Sequence, residues 1–275
     1  MAHKLDILLN MSVSKMGINV LSEMNAHQVT QSINDDTVAV LIFGACENHG
    51  DHMPFGSDFI MPFELAKRVA NRCANLVILP PFPYGVSSHL KDFFMTITVE
   101  PDTMIMIIHN ILVSLVNNKI TRILIINGHD GNIAPIESAA RIMKDEHPEV
   151  IISCLEQWWV LVGKLNNDLF DVWDGLGHGG EAETSVMIAL RPELVDMNHA
   201  PREIIPTLPE HVRIYWKQNE LTDTGATGAP QKANANKGNR ALQVLEDVLV
   251  SFIKDMDKKG WRYGINAEKC DLKNL

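Results

Sequence analysis

Four short apolar runs recur along the chain: Val38-Ala-Val-Leu-Ile-Phe43, Leu76-Val-Ile-Leu79, Ile123-Leu-Ile-Ile126 and Val150-Ile-Ile-Ser153. A strand wetted on one face alternates polar and apolar residues. Runs that are apolar at consecutive positions suit strands covered on both faces, as in a parallel sheet. Between them lie segments of helical period at 59–73, 102–119 and 133–147. The first carries Phe59, Phe63, Leu65 and Val69 as a packing stripe, with Lys67, Arg68 and Arg72 near its end. Pro135 falls in the first turn of the third, where a missing N–H is harmless. This alternation predicts a doubly wound α/β sheet with right-handed crossovers. The last third is less regular. Pro201, Pro206 and Pro209 break it, so 199–238 reads as loop with short ordered pieces. Gly225-Ala-Thr-Gly-Ala-Pro230 then leads into a final amphipathic helix near 239–258. We expect an N-terminal extension over 1–20, one domain over 21–262 and a C-terminal tail over 263–275.

Polar residues with chemical potential gather at three places. Gly44-Ala-Cys-Glu47-Asn-His49-Gly-Asp51-His52-Met-Pro-Phe-Gly-Ser-Asp58 follows the first run directly. Asn127-Gly-His129-Asp130-Gly-Asn132 follows the third, and Gly177-His178-Gly-Gly-Glu181-Ala-Glu183-Thr-Ser opens another helical segment. Two of the three thus sit beyond strand carboxyl ends, where open α/β sheets bind ligands. Their His, Asp and Glu donors suit a divalent metal without any need for cysteine. Glu47 and His49 are two apart, so on extended backbone they point the same way. Asp58 has two oxygens and could bridge two ions, or it could only cap the helix that follows. His52 points opposite to His49 and reads as a loop residue or a supporting donor more than as a ligand. Asp51 and Asp130 read as solvated or turn-stabilising. Glu181 and Glu183 fall in a helix's first turn, where acidic residues are favoured anyway, but His178 beside them argues a function for one of the two.

Charge and composition narrow the field. The 24 basic and 34 acidic side chains give a net charge of −10, which argues against a general grip on nucleic acid or an anionic membrane. No apolar run approaches bilayer length, and the N-terminus is too broken by polar residues for a secretory signal. Four cysteines lie far apart with no C-x-x-C pair, so a reducing cytoplasm is the simple expectation. A metallophosphatase would want Arg or Lys beside the ligands, and the three motifs contain none.

Together the motifs resemble the creatininase family. Glu47-Asn-His49-Gly-Asp-His52-Met-Pro-Phe-Gly-Ser-Asp58 is similar to the family's E-x-H-G-x-H-x-P-x-x-T-D. Asn127-Gly-His129-Asp-Gly-Asn132 and His178-Gly-Gly-Glu-Ala-Glu183-Thr-Ser follow in family order. So do Pro81-Phe-Pro-Tyr-Gly-Val-Ser-Ser-His89 and Gly228-Ala-Pro with Ala-Asn-Lys237-Gly238 downstream. The resemblance implies a three-layer α/β sandwich with a mostly parallel sheet flanked by helices, assembled as a homohexamer. It implies two divalent ions per subunit (zinc first, manganese or iron as alternatives) and hydrolysis of a non-peptide C–N bond in a small amide. Glu47, Asp58 and His129 would hold one ion; His49 and Asp58 would hold the other. His178 would move protons. Creatinine amidohydrolases carry Glu two residues after the His of the N-G-H motif, as a ligand to the second ion. This chain has Gly131 there, like a branch that includes formamide deformylases and peptide-maturation hydrolases. We expect Glu183 to fill that place, as ligand and catalytic neighbour. The family's H-x-x-F-P-G-T is altered to Leu-Lys-Asp-Phe-Phe94-Met95-Thr96, which suggests a reshaped pocket or subunit contact. Trp158, Trp159 and Trp173 match places where creatininase has tryptophans that close over substrate, although core or interface roles suit each equally. A non-catalytic, metal-binding relative is the alternative from another class.

Overall fold

The computed structural model describes residues 18–165, 168–205 and 214–264. Its sheet contains β1 (Asn19–Val20), β2 (Val38–Phe43), β3 (Leu76–Ile78), β4 (Arg122–Asn127) and β5 (Ile151–Leu155). All neighbours are parallel, in the order β1-β3-β2-β4-β5. The helices are α1 (Ala26–Ser32), α2 (Ser57–Ala70), α3 (Pro101–Asn117), α4 (Ile133–Glu146), α5 (Trp158–Leu165), α6 (Glu181–Leu190) and α7 (Ala235–Lys258). No helix among the described residues is long and apolar enough to cross a membrane.

Alternation along each strand explains the uninterrupted apolar runs. Val38, Val40, Ile42, Leu124 and Ile126 face one core, which α2, α5, α6 and α7 close with Leu65, Val162, Val186 and Leu245. Leu41, Phe43, Ile123 and Ile125 face the other, which α3 and α4 close with Ile108, Leu112, Ile136 and Met143. The result is the expected three layers.

Element ends differ from the pattern for local reasons. The helix expected at 59–73 runs Ser57–Ala70, with Gly56 as its N-cap and no side-chain cap bond. Asp58 therefore lies inside the first turn and is not a cap. The last helix starts at Ala235, four residues early, because the Asn234 side chain accepts the Lys237 N–H at 3.1 Å. β3 ends at Ile78, just ahead of Pro80 and Pro81. Asn19 and Val20 pair with Val77 and Ile78, so the sheet begins within the segment expected to be an extension. Residues 1–17 and 265–275, most of the expected extension and tail, lie outside the described residues.

The topology fixes where a site can form. From β2 the chain crosses to β3 on one side, then passes to β4 on the other. Phe43 and Asn127, the last residues of β2 and β4, are partners across the ladder. The loops leaving them diverge to α2 on one face and α4 on the opposite face, which opens a crevice at this switch point. The crevice floor is tightly packed. Pro62 has no N–H for the Asp58 carbonyl, and against this carbonyl Gly128 packs so closely that a Cβ would lie 1.8 Å away. Gly128→Ala is therefore expected to lower the unfolding free energy by about 1–3 kcal/mol through overpacking. Chemical denaturation of the metal-free protein checks this, and parental stability would contradict it.

Candidate metal centre

Two loops bring the donors together, and two asparagines tie the loops down. Asn127 donates to the carbonyls of His129 (2.7 Å) and Glu156 (3.1 Å) and accepts the His129 N–H (3.2 Å). Asn132 donates to the Gly44 carbonyl at 3.0 Å and accepts the Val86 N–H at 3.1 Å. The loop after β4 is thereby bonded to the loops after both β2 and β3.

Inside this frame Glu47, Asp58 and His129 each place one donor atom within 4.8 Å of the others, and so do His49, Asp58 and Glu183. Asp58 belongs to both of these groups, and a third, Glu47, His49 and His178, meets the same distance without it. His49 sets Nε2 2.8 Å from Asp58 Oδ1, while its Nδ1 lies 3.1 Å from the Glu47 carbonyl. His129 sets Nδ1 3.1 Å from Glu47 Oε1 and 3.2 Å from Asp58 Oδ2, while its Nε2 lies 3.0 Å from the Val86 carbonyl. A ring nitrogen facing a backbone carbonyl must carry the hydrogen. That assigns the lone pair of each neutral ring to the nitrogen turned toward the carboxylates, the tautomer a metal-binding histidine needs.

The carboxylates themselves are short of partners. Both oxygens of Glu47 and Oδ2 of Asp58 are buried without a hydrogen bond. Buried charge in this condition is costly unless a counter-ion completes it. In the metal-free centre the histidines respond. Burial disfavours a charged His49, but Asp58 outweighs burial and pushes its pKa up to about 10. His129 is likewise raised, against burial, by Glu47 and Asp58. Asp58 is held well below the usual carboxylate range, against burial, by His49 and His129. Glu183 goes the other way: burial, partly offset by His49, raises it to about 7. The donor set and its unsatisfied oxygens fit a pair of divalent cations.

His178 stacks on His49 with ring centroids 4.3 Å apart. Its Nε2 donates to the Asn48 carbonyl at 2.6 Å, and its Nδ1 is 3.8 Å from Glu47 Oε1. Burial and the neighbouring His49 lower its pKa to about 4, so it is neutral near pH 7 rather than poised at the ordinary histidine value. His52 is outside the cluster. It is buried, with Nε2 2.9 Å from the Thr184 hydroxyl, and burial lowers it to about 4. Asp51 and Asp130 are exposed. A Cβ at Gly131 would meet the Val86 carbonyl at 2.0 Å, so no Glu fits there on this backbone. Glu183, whose carboxylate accepts the Gly179 N–H at 2.7 Å, reaches the centre from α6 instead.

A cleft of about 550 Å³ opens over the donors, and Trp159 and Trp173 line it. Trp158 does not. It is 3% exposed in the core behind the site, edge-on to Trp159 with ring centroids 5.8 Å apart. Nor does the altered segment reach the cleft: Met95 keeps a left-handed backbone (φ 64°) and its side chain is exposed. Trp216, Gln218 and His89 do line the cleft. Sequence reasoning missed the first two, because they arrive from irregular chain with no periodic or motif signal. His89 was within a quoted motif but had no role; its ring stacks parallel to that of His129 at 6.1 Å.

Comparison with known proteins is consistent across sequence and structure. Residues 22–253 match the creatininase family model, described as creatinine amidohydrolase. The chain is similar to creatinine amidohydrolase of Pseudomonas putida (27% identity over 235 residues, 80% of this chain and 90% of that protein). It is also similar to mycofactocin precursor peptide peptidase of Mycobacterium ulcerans (24% identity, 86% and 92%). A creatinine amidohydrolase crystal structure shares the fold with a TM-score of 0.77, at 24% identity and covering 87% of this chain and 98% of that one. Creatininase structures include a Zn-Zn type and a Mn form.

The buried His52 makes a testable contribution to acid sensitivity. Unfolded, it takes up a proton near its ordinary value of 6.5; folded, only near 4. Between those values the unfolded chain binds more protons, so stability falls as pH drops, by on the order of 3 kcal/mol for this one group. Denaturation of His52→Gln should lose correspondingly less stability than the parent between pH 6.5 and 4. Equal losses would contradict the assignment.

Proposed function

The chain belongs to the creatininase family, and from that premise we propose that it is a dinuclear metal-dependent amidohydrolase. It cleaves the non-peptide C–N bond of a small amide or cyclic amide. One observation carries this above all: three buried carboxylate oxygens of Glu47 and Asp58 lack partners amid histidines turned toward them. Glu47, Asp58 and His129 would hold one ion, and His49, Asp58 and Glu183 the other. Bound there, two divalent ions acidify water and polarise an amide carbonyl. Zinc is the first candidate, with manganese or iron next.

The chain's own groups handle the rest. His178 is neutral, with Nδ1 facing the centre, so it can accept a proton there and pass it to the departing nitrogen. Glu183 would stand beside it as a ligand and catalytic neighbour. Trp159, Trp173 and Trp216 offer flat apolar faces to a planar substrate and exclude water. Among the described residues no Lys or Arg lines the cleft, so no side-chain cation there is set to pair with an anionic group of a substrate away from the metal donors. That favours a substrate without negative charge. Assembly as a homohexamer in the cytoplasm belongs to the same reading.

A second reading, peptide cleavage, has the similarity to mycofactocin precursor peptide peptidase behind it. One experiment addresses both: metal-replete protein is screened against creatinine, small amides, formamides and short peptides, with metal content measured in parallel. We expect turnover of a small amide, with two ions per subunit. Asp58→Ala should lose ions and turnover together. His178→Ala should keep the ions while its rate falls by about 10²–10⁴-fold. Turnover by metal-free Asp58→Ala would overturn the proposal.

A further inference from the structure

Lys237 and Glu181 take no part in the chemistry above, yet they form an ion pair, with Glu181 buried and Lys237 partly so, against the loop that carries the cleft-lining Trp173. Glu181 is the first residue of α6 and is fully buried. A first-turn glutamate needs only to face solvent to favour a helix N-terminus. This one turns to the chain before it: its carboxylate accepts the N–H of Asp171 (3.1 and 3.2 Å) and of Val172 (3.2 Å). Lys237, in the first turn of α7, donates to the same carboxylate. Its Nζ also lies 3.0 Å from Asp171 Oδ2 and 2.9 Å from the Lys232 carbonyl. Burial works against the charge on Lys237, but its hydrogen bonds to Glu181 and Asp171 outweigh this and raise its pKa.

The segment held in this way is strained. Trp173, Asp174 and Gly175 have φ of 49°, 52° and 80°, three left-handed residues in succession. Residues with a Cβ hold that conformation only where their surroundings over-determine it. One side is fixed by α5, where a Cβ at Gly163 would come within 2.7 Å of the Asp174 carbonyl. The other side has the Glu181 carboxylate. At the strained point stands Trp173, a third exposed and lining the cleft mouth with Trp159, Trp216 and His178.

We propose that Lys237 and Glu181 are positioning residues that clamp the 171–175 loop so that Trp173 stands over the cleft and retains substrate. The effect on substrate rests on the amidohydrolase reading; the clamp itself does not. Removing the lysine charge leaves Glu181 buried without its cation, which should free the loop while the donors of the metal centre stay in place.

Hydrogen exchange and tryptophan emission test the clamp without any substrate. In Lys237→Met, the amides of Asp171 and Val172 should exchange about tenfold faster or more, the worth of a charge-assisted hydrogen bond. Acrylamide should quench more of the Trp173 emission, isolated by difference from a Trp173→Phe background. Metal content and exchange within α7 should match the parent. Lys237→Arg should restore both signals. With any amide that the parent turns over, KM should rise with kcat little changed. If Lys237→Met does not fold, Glu181→Gln, which keeps the shape and loses the charge, is read by the same signals. Unchanged exchange and quenching at 171–173 would overturn the clamp, as would a rise spread evenly over α6 and α7. A loop freed in Lys237→Met with KM unaltered would overturn the role in retaining substrate.

Discussion

Everything in the site depends on carboxylates buried without enough hydrogen bonds. Glu47 is fully buried and Asp58 nearly so, and three of their four oxygens lack a hydrogen bond, two of them facing the His129 Nδ1. A protein interior tolerates such groups only where positive charge is supplied. In the metal-free molecule His49 and His129 supply it by holding protons, against the penalty of burial. A divalent ion bound there would remove the need for those protons and leave the ring nitrogens facing the carboxylates free to serve as ligands. The backbone carbonyls of Glu47 and Val86 keep each ring in the required tautomer through either change.

The sheet makes that burial affordable. Adjacent parallel strands β2 and β4 end at the same level and send their loops to opposite faces, so two motifs distant in sequence meet in one crevice. Gly44 and Gly128 let both loops press against the backbone of Asp58. The helix carrying Asp58 enters from one side and the α6 start carrying Glu183 from another. Gly131 shows the same economy in reverse. With the Val86 carbonyl occupying the space a side chain would need, the second group of donors is completed from α6.

Much of this was legible in the sequence, for definite reasons. Strand β2 is apolar at every position and β4 from Ile123 to Ile126 because both faces are covered, and that pattern is hard to produce otherwise. Glu47, His49, Asp58 and His129 stood out because short glycine-rich turns leave few positions from which a side chain can reach a common point. Other features were hidden. Trp158 and Trp159 are adjacent, and only the packing of α5 decides that one is core and the other lines the cleft. Trp216 comes from aperiodic chain. The lowered pKa of His178 depends first on burial and then on a ring stacked against it from 129 residues away in sequence, since His49 and His178 meet only in the fold. Lys237 carried no local sign that its partner would be a buried glutamate on a different helix.

The central claim is that Asp58 sits between two ions. Anomalous diffraction from crystals of the metal-loaded protein, recorded at the absorption edge of the bound element, tests it most directly. Two peaks per subunit are predicted, one among Glu47, Asp58 and His129 and the other among His49, Asp58 and Glu183. A single peak, or two peaks that do not share Asp58, would contradict it.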